Sequence, residues 1–289
     1  MAQVTAALVK QLREMTDSPM MECKKALVKA DGDLQQAVDV LREMGVAKAV
    51  KKAGRATNEG TVGAYLAEDG TVAALLELSC ETDFVGTNPK FTGFAADLAK
   101  VVAECDPADE AALKAAPFGD ETVDSALTEM IHVIGENMKV GRFVRCATTS
   151  GAYSSYVHSN GKLGVLVEFS FANAETAAND TFKSFAHDVA LQVAAANPIA
   201  CTREDVPADV VEREKAIYMK QAADTGKPEA IQERIATGKL EAFYKEQCLV
   251  DQQFIKDGSV TITELAAKVS KELGDDIKVV SFQRMAFGE

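Results

Sequence analysis

Apolar residues recur along this chain in two rhythms. Over the first 45 residues they fall at helical spacing. Leu8, Leu12 and Met15 share one stripe, and Thr5 stands where it can cap the helix that carries them. Ser18-Pro19 opens a second helix, because proline suits the first helical position, and Gly32 stops it. Asp33, with Gln36 three residues later, is a capping-box-like start to a third helix that ends at Gly45. The basic stretch AKAVKKAGRATNEG follows, so the pattern predicts a small three-helix module on a hinge.

The middle of the chain changes to strand rhythm and repeats itself. GAYLAEDGTVAALLELSC begins at Gly63, and GAYSSYVHSNGKLGVLVEFS begins at Gly151. Each reads as a strand, a turn (Asp69-Gly70; Asn160-Gly161) and a longer apolar strand, which is a hairpin signature. Each is followed by an Ala-rich helix, from Phe91 and from Phe182, sharing the pattern F-x-x-F-A-x-D. The predicted fold class is therefore α+β, with antiparallel sheets and packed helices built by duplication.

Residues 206–256 interrupt the repeat with a charged, helix-prone segment punctuated at Gly226-Lys227-Pro228 and Gly238. Its apolar content is thin, so it reads as an inserted helical hairpin projecting from the body. IKVVSFQRMAFGE then returns as a strand completing the second sheet. The expected units are residues 1–55 (helical module and linker), 56–145 and 146–205 (the two halves of the core), 206–256 (the hairpin) and 257–289 (the return strand).

Composition narrows the function classes. The chain has 289 residues, 47% hydrophobic and 26% charged, enough for two or three compact units. No apolar run approaches the roughly 18 residues of a membrane helix. Gln3, Lys10, Gln11 and Arg13 break up the apolar start, so a secretion signal is not expected and the location is expected to be cytoplasmic. The six cysteines are scattered singly, which favours reduced, mostly buried thiols. The net charge of −13 divides into +3 over residues 1–55 and −16 over the rest, so the body repels phosphate backbones and direct nucleic-acid binding is not expected.

The motifs of covalent chemistry are missing. Neither G-x-x-x-x-G-K-[ST] nor G-x-G-x-x-G occurs, and H-E-x-x-H and G-x-S-x-G are absent too. His132, His158 and His187 have no neighbouring histidine or cysteine at metal-ligand spacing, and read as structural or solvated. The expectation is a protein without cofactor or metal that is not an enzyme.

One stretch asks a different question. LSCETDFVG, residues 78–86, ends an apolar strand and then sets Glu81, Thr82 and Asp83 directly before Phe84 and Val85. Such a loop either folds the ring of Phe84 back into its own core or presents it to a partner. On the residues alone the buried ring is favoured, since burying a Phe is worth roughly 1.5–3 kcal/mol. Met20 and Met21 pose a similar choice: adjacent at a helix start, they cannot both face one core, and an exposed methionine is an adaptable contact residue.

Several motifs, in order, resemble the translation elongation factor Ts family: LVKQLREMTDSPMMECKKALVKADGDLQQAVDVLREMG at the start, ETDFV at 81–85, IGENMKV at 134–140, HSNGKLGVLVE at 158–168 and GKPEAIQERIATGKLEAFYKE at 226–246. The resemblance spans essentially the whole chain. It implies a UBA-like N-terminal module, a coiled coil at 206–256, and guanine nucleotide exchange on the GTPase elongation factor Tu. It also reverses the reading of Phe84: Thr82, Asp83, Phe84 and Val85 become a wedge entering that GTPase beside its magnesium site. Lys10, Arg13, Met20 and Met21 become the partner surface of the N-terminal module. The coiled coil would meet a partner, a second copy of the chain being one candidate. A non-catalytic scaffold that holds the nucleotide-free GTPase is the alternative. Three departures stand out. TDSPMM replaces the family's T-G-x-G-M-M, Gln192 stands where many members carry a histidine, and the chain ends at Glu289 where many continue into a further helix.

Overall fold

The computed structural model describes residues 4–289; residues 1–3, part of the segment read for a secretion signal, lie outside the described residues. The N-terminal helices begin where their caps predict. Thr5 Oγ1 accepts from Leu8 N at the start of α1 (Ala6–Thr16), and Asp33 accepts from Gln36 N at the start of α3 (Leu34–Lys52). Between them α2 (Met20–Lys29) follows Pro19, which sits at the cap position rather than in the first turn. Leu12, Cys23, Ala26, Leu27, Ala37 and Leu41 make the small core of this unit. Met15 does not join it: α1 packs through Val9 and Leu12, and Met15 lies exposed.

Beyond the helices the chain builds its first sheet. Strands β1 (Glu59–Leu66) and β2 (Val72–Cys80) form a hairpin, followed by a one-turn helix α4 (Asp83–Gly86) and the long helix α5 (Pro89–Cys105). Helix α6 (Glu110–Ala115), the short pair β3 (Pro117–Phe118) and β4 (Glu121–Thr122), and α7 (Val123–Ile134) lead to β5 (Met138–Ala147). That strand pairs with β2, giving the sheet order β1-β2-β5. The second sheet repeats the plan. Strands β6 (Ala152–Val157) and β7 (Leu163–Ser170) precede a 3-10 turn at Ala174–Ala178 and helix α8 (Asp180–Ala196). After α9 (Ala208–Ala223), α10 (Glu229–Gln247), β8 (Gln253–Phe254), β9 (Asp257–Thr261) and α11 (Ile262–Leu273), strand β10 (Lys278–Ala286) joins β7, giving β6-β7-β10.

The two sheets pack face to face through Val62, Ala73, Leu75, Tyr153, Leu166 and Met285. Helices α5 and α7 cover the outer face of the first sheet, and α8 and α11 that of the second. A reciprocal pair of bonds joins the repeats: Val62 N donates to Gly161 O and Tyr153 N to Gly70 O, each at 2.7 Å. Gly70 and Gly161, Asn88 and Asn179, Phe91 and Phe182, and Asp106 and Asn197 keep one constant separation along the chain. That same spacing pairs Gly151 with Gly60, not with Gly63 as the matching tripeptides imply. Both glycines sit where a Cβ would strike a carbonyl of the neighbouring strand, Leu78 O for Gly60 and Phe169 O for Gly151. The repeat also extends further than the hairpin and helix. Gly135 ends α7 and Gly274 ends α11, each at positive φ, and each turns the chain into the third strand of its sheet.

Five expectations are corrected here. Helix α3 runs through Gly45 to Lys52, because Gly45 lies buried against α7, where a Cβ would sit 3.3 Å from that of His132. The roughly 1 kcal/mol cost of a mid-helix glycine is offset by this close approach. The N-terminal unit is therefore docked rather than hinged. Glu22 pairs with Lys48 beside the buried His132 ring, and Lys90 pairs with Asp17 at 2.9 Å. Gly238 does not interrupt the hairpin either; it lies inside α10 with open space around it, while Gly226 and Pro228 make the turn. The division at 145/146 cuts β5, whose Cys146 and Ala147 still pair with Ala73 and Val72. Finally, residues 257–289 contain β9 and α11 as well as the return strand, which begins only at Lys278. The ends of the α9–α10 excursion do meet: Ala200 bridges Cys248, and Ile199 N donates to Gln247 O.

Candidate partner-binding site

The loop after β2 is one helical turn with its two apolar side chains on opposite sides. Thr82 caps α4, accepting from Val85 N at 3.5 Å, and Gly86 N and Thr87 N return to Thr82 O and Asp83 O. Val85 faces inward and joins the core with Leu78, Cys80 and Phe91. Phe84, one residue earlier, points away and is 84% exposed. A free Phe ring at that exposure forfeits its own burial energy, so the turn is shaped against its local hydrophobic preference. The ring is presented. Asp83 is exposed beside it, with Oδ1 accepting from Phe84 N at 3.0 Å. Of the four residues assigned to the wedge, Asp83 and Phe84 are presented, Thr82 is half-buried, and Val85 is corrected to a core anchor.

The turn is held from outside. Glu136, just after α7, accepts through Oε2 from Glu81 N (3.1 Å) and Thr82 N (3.0 Å), and through Oε1 from Thr82 Oγ1 (2.6 Å). Glu81 answers in the opposite direction, its Oε1 accepting from Asn137 N at 2.6 Å. Asn137 Nδ2 in turn donates to Arg55 O at 2.9 Å, just beyond α3, and Arg55 Nη1 lies 3.4 Å from Glu81 Oε1. Cys80 beneath the turn is no nucleophile: burial pushes its thiol up to about 11, with the Glu136 carboxylate adding to the rise. No local pattern around Glu136 or Asn137 marks either residue as a support. The available signal was the likeness of GENMKV at 135–140 to GDDIKV at 274–279, two helix-to-strand corners of one repeat.

The N-terminal unit offers a second surface. Met20 and Met21 are both exposed, at 52% and 63%. Met21, Lys24, Lys25, Val28, Lys29 and Met44 line a shallow groove of about 390 Å³ between α2 and α3. Lys10 and Arg13 lie on α1 and Met20 at the start of α2, none of them in that groove, so the structure gathers only Met21 from the four expected residues. Lys10 is exposed and pairs with Glu14 at 3.6 Å.

Gln192 is turned inward. It is 1% exposed, Nε2 donates to Gln252 Oε1 and Gln253 O, and Oε1 accepts from Ile255 N. Both of its donors and one acceptor site are spent tying α8 to the segment around β8. Of the three histidines, His132 is buried, while His158 and His187 are exposed and both contact Tyr156. Among the described residues no helix is long and apolar enough to cross a membrane.

The chain is similar to known proteins over nearly its whole length. A family model described as Elongation factor TS matches residues 81–289. The chain is 45% identical over 287 residues to the Elongation factor Ts of Nitratidesulfovibrio vulgaris (strain DP4), an alignment covering 99% of this chain and 96% of that protein. It is 44% identical over 287 residues to that of Clostridium perfringens (strain SM101 / Type A), covering 99% and 93%. With that of Trichlorobacter lovleyi it shares 44% over 289 residues, again covering 99% and 93%. On this likeness over nearly its whole length, the chain belongs to the elongation factor Ts family.

Proposed function

We propose that this protein is a guanine nucleotide exchange factor for the translation GTPase elongation factor Tu, acting by binding alone and without a covalent step. The observation that carries the proposal is the exposed ring of Phe84, held out on a braced turn beside the exposed carboxylate of Asp83. A rigid aromatic anchor of this kind is what dominates an interface. Inserted beside the Mg²⁺ and the loops that grip the β-phosphate, Phe84 and Asp83 disturb the nucleotide's contacts. Factor and nucleotide then each weaken the other's binding by the same factor, as linkage requires, and GDP leaves faster. The methionine- and lysine-lined groove of the N-terminal unit, which we read as the UBA-like module, supplies a second contact to a surface of opposite charge. The α9–α10 hairpin, with Ile217 and Ile231 exposed, supplies a coiled-coil surface for an auxiliary contact or for a second copy of the chain.

The test is release of fluorescent GDP from purified elongation factor Tu with substoichiometric protein. The expected result is multiple turnovers of release per molecule added. Tight complex formation with an unchanged release rate would replace exchange with the scaffold reading.

A further inference from the structure

The turn that presents Phe84 has little to hold it by itself. It is a single helical turn of four residues, too short to be stable alone, and its most apolar side chain faces solvent. Its fixed points are the burial of Val85 and the carboxylate of Glu136. That carboxylate takes two consecutive backbone N–H groups and one hydroxyl, and charge-assisted bonds of this kind are about twice as strong as neutral ones.

The second repeat carries the same device. Asp275, following Gly274 as Glu136 follows Gly135, accepts from Ala172 N at 2.9 Å, from Asn173 N at 3.0 Å and from Thr176 Oγ1 at 2.6 Å. There the braced turn presents no ring; Glu175 occupies the place that Phe84 has in the first repeat. The clamp is therefore a property of the repeated fold, which the first repeat alone combines with an exposed aromatic. Only the first clamp is reciprocal, through Glu81 and Asn137, and only it reaches the end of α3 through Asn137 and Arg55.

We propose that Glu136 is a positioning residue for nucleotide exchange: its carboxylate fixes the backbone of Glu81 and Thr82 so that the Phe84 ring stands in one outward direction before the partner arrives. This rests on the exchange reading above. Pre-organisation of this sort lowers the ordering cost at association and holds the anchor in its working direction. Glu136 acts through Phe84, so its effect exists only when the ring is there.

The experiment is a double-mutant cycle with two readouts. Glu136→Ala is expected to slow GDP release from elongation factor Tu by tenfold or more, and to add less than twofold on a Phe84→Ala background. Glu136→Gln is expected to stay within about threefold of wild type, since its amide oxygen still accepts the two N–H groups and its NH₂ can donate to Thr82 Oγ1. Asp275→Ala is expected to leave the release rate within twofold. If Glu136→Ala lowers the yield of folded protein, Thr82→Val removes the hydroxyl arm of the clamp together with the long cap bond from Val85 N, leaves both amide bonds to Glu136, and is expected to give a partial loss. Independently of any GTPase, 4-fluorophenylalanine at position 84 is expected to give one narrow ¹⁹F line in the free protein and a broadened or shifted line with Glu136→Ala. An unchanged ¹⁹F spectrum, or losses that multiply in the cycle, would overturn the positioning role. A responsive spectrum in a protein that never accelerates GDP release would leave positioning intact and remove the exchange reading instead.

Discussion

The turns after β2 and after β7 were built to one plan and put to opposite uses. Each leaves the central strand of a three-stranded sheet, each has a carboxylate on two consecutive amides, and each runs through an asparagine cap, Asn88 or Asn179, into a long helix. In the second, Phe171 lies at the strand's end and is buried edge-on against Phe182, with ring centroids 5.1 Å apart. Its counterpart in the first is Cys80, and the aromatic has moved into the turn itself as Phe84. An aromatic at the strand end completes a core; four residues later, on the outer side of a one-turn helix, it cannot reach that core. Position within the turn, not residue type, divides stabilising from presenting.

The sharpest way to break this comparison is to remove each ring in turn. Phe171→Ala is expected to cost about 3–5 kcal/mol of folding stability, read by denaturant unfolding, because a packed cavity is left behind. Phe84→Ala is expected to change stability by less than about 0.5 kcal/mol while slowing GDP release roughly 30-fold, the kinetic equivalent of losing a hot spot of about 2 kcal/mol. A large drop in melting temperature for Phe84→Ala would erase the distinction.

Next in size is the pH response of the second clamp. The bonds from Thr176, Ala172 and Asn173 hold the Asp275 carboxyl down at about 2. A carboxyl depressed on folding adds stability above its unfolded value near 3.9, and that stability is lost as pH falls through about 2. The melting-temperature gap between wild type and Asp275→Asn is therefore expected to be full at pH 5 and to close between pH 4 and 2. A gap that persists at pH 2 would show that shape, not charge, carries the clamp.

The first repeat also bears the docked N-terminal unit, which the second does not. Burial pushes the pKa of His132 down; the Glu22 carboxylate, 3.4 Å from Nε2, opposes this, and Lys48 and Lys52 reinforce it. A histidine kept neutral on docking stabilises the interface fully above its free value near 6.5, and progressively less as pH falls below it. Amide protection in residues 44–55, measured relative to the intrinsic exchange rate at each pH, is expected to fall between pH 6.5 and 5, and His132→Gln is expected to flatten that dependence. The smallest effect is expected of Glu175→Phe, which gives the second turn an exposed ring. Stability should change by less than about 0.5 kcal/mol, and GDP release should not rise, because the proposed mechanism places the working ring beside the first clamp.

Much of this was legible in order along the chain. Thr5 and Asp33 cap the helices they were expected to cap, and the Asp69-Gly70 and Asn160-Gly161 turns close their hairpins. The sequence around Phe84 raised the right question, and family resemblance rather than local chemistry pointed to an exposed ring. What failed to show was long-range. Gly45 reads as a helix stop until α7 is packed against it. Gly63 pairs with Gly151 by spelling and Gly60 by geometry, since only strand register tells that Gly60 meets a carbonyl of the adjoining strand while Gly63 meets one of α5.

The sequence by itself determined the local elements of this protein: caps, turns, the alternation of strands, the amphipathic helices and the fact of duplication, all of which depend on residues within a few positions of one another. The tertiary structure alone decided which way Phe84 points. That direction depends on Val85 entering a core assembled from β2, α5 and α7, and on a carboxylate more than fifty residues away reaching two backbone amides. Hydrogen bonds between backbone and a distant side chain leave no periodicity in sequence, because any acceptor of suitable length at the right corner of the fold can make them.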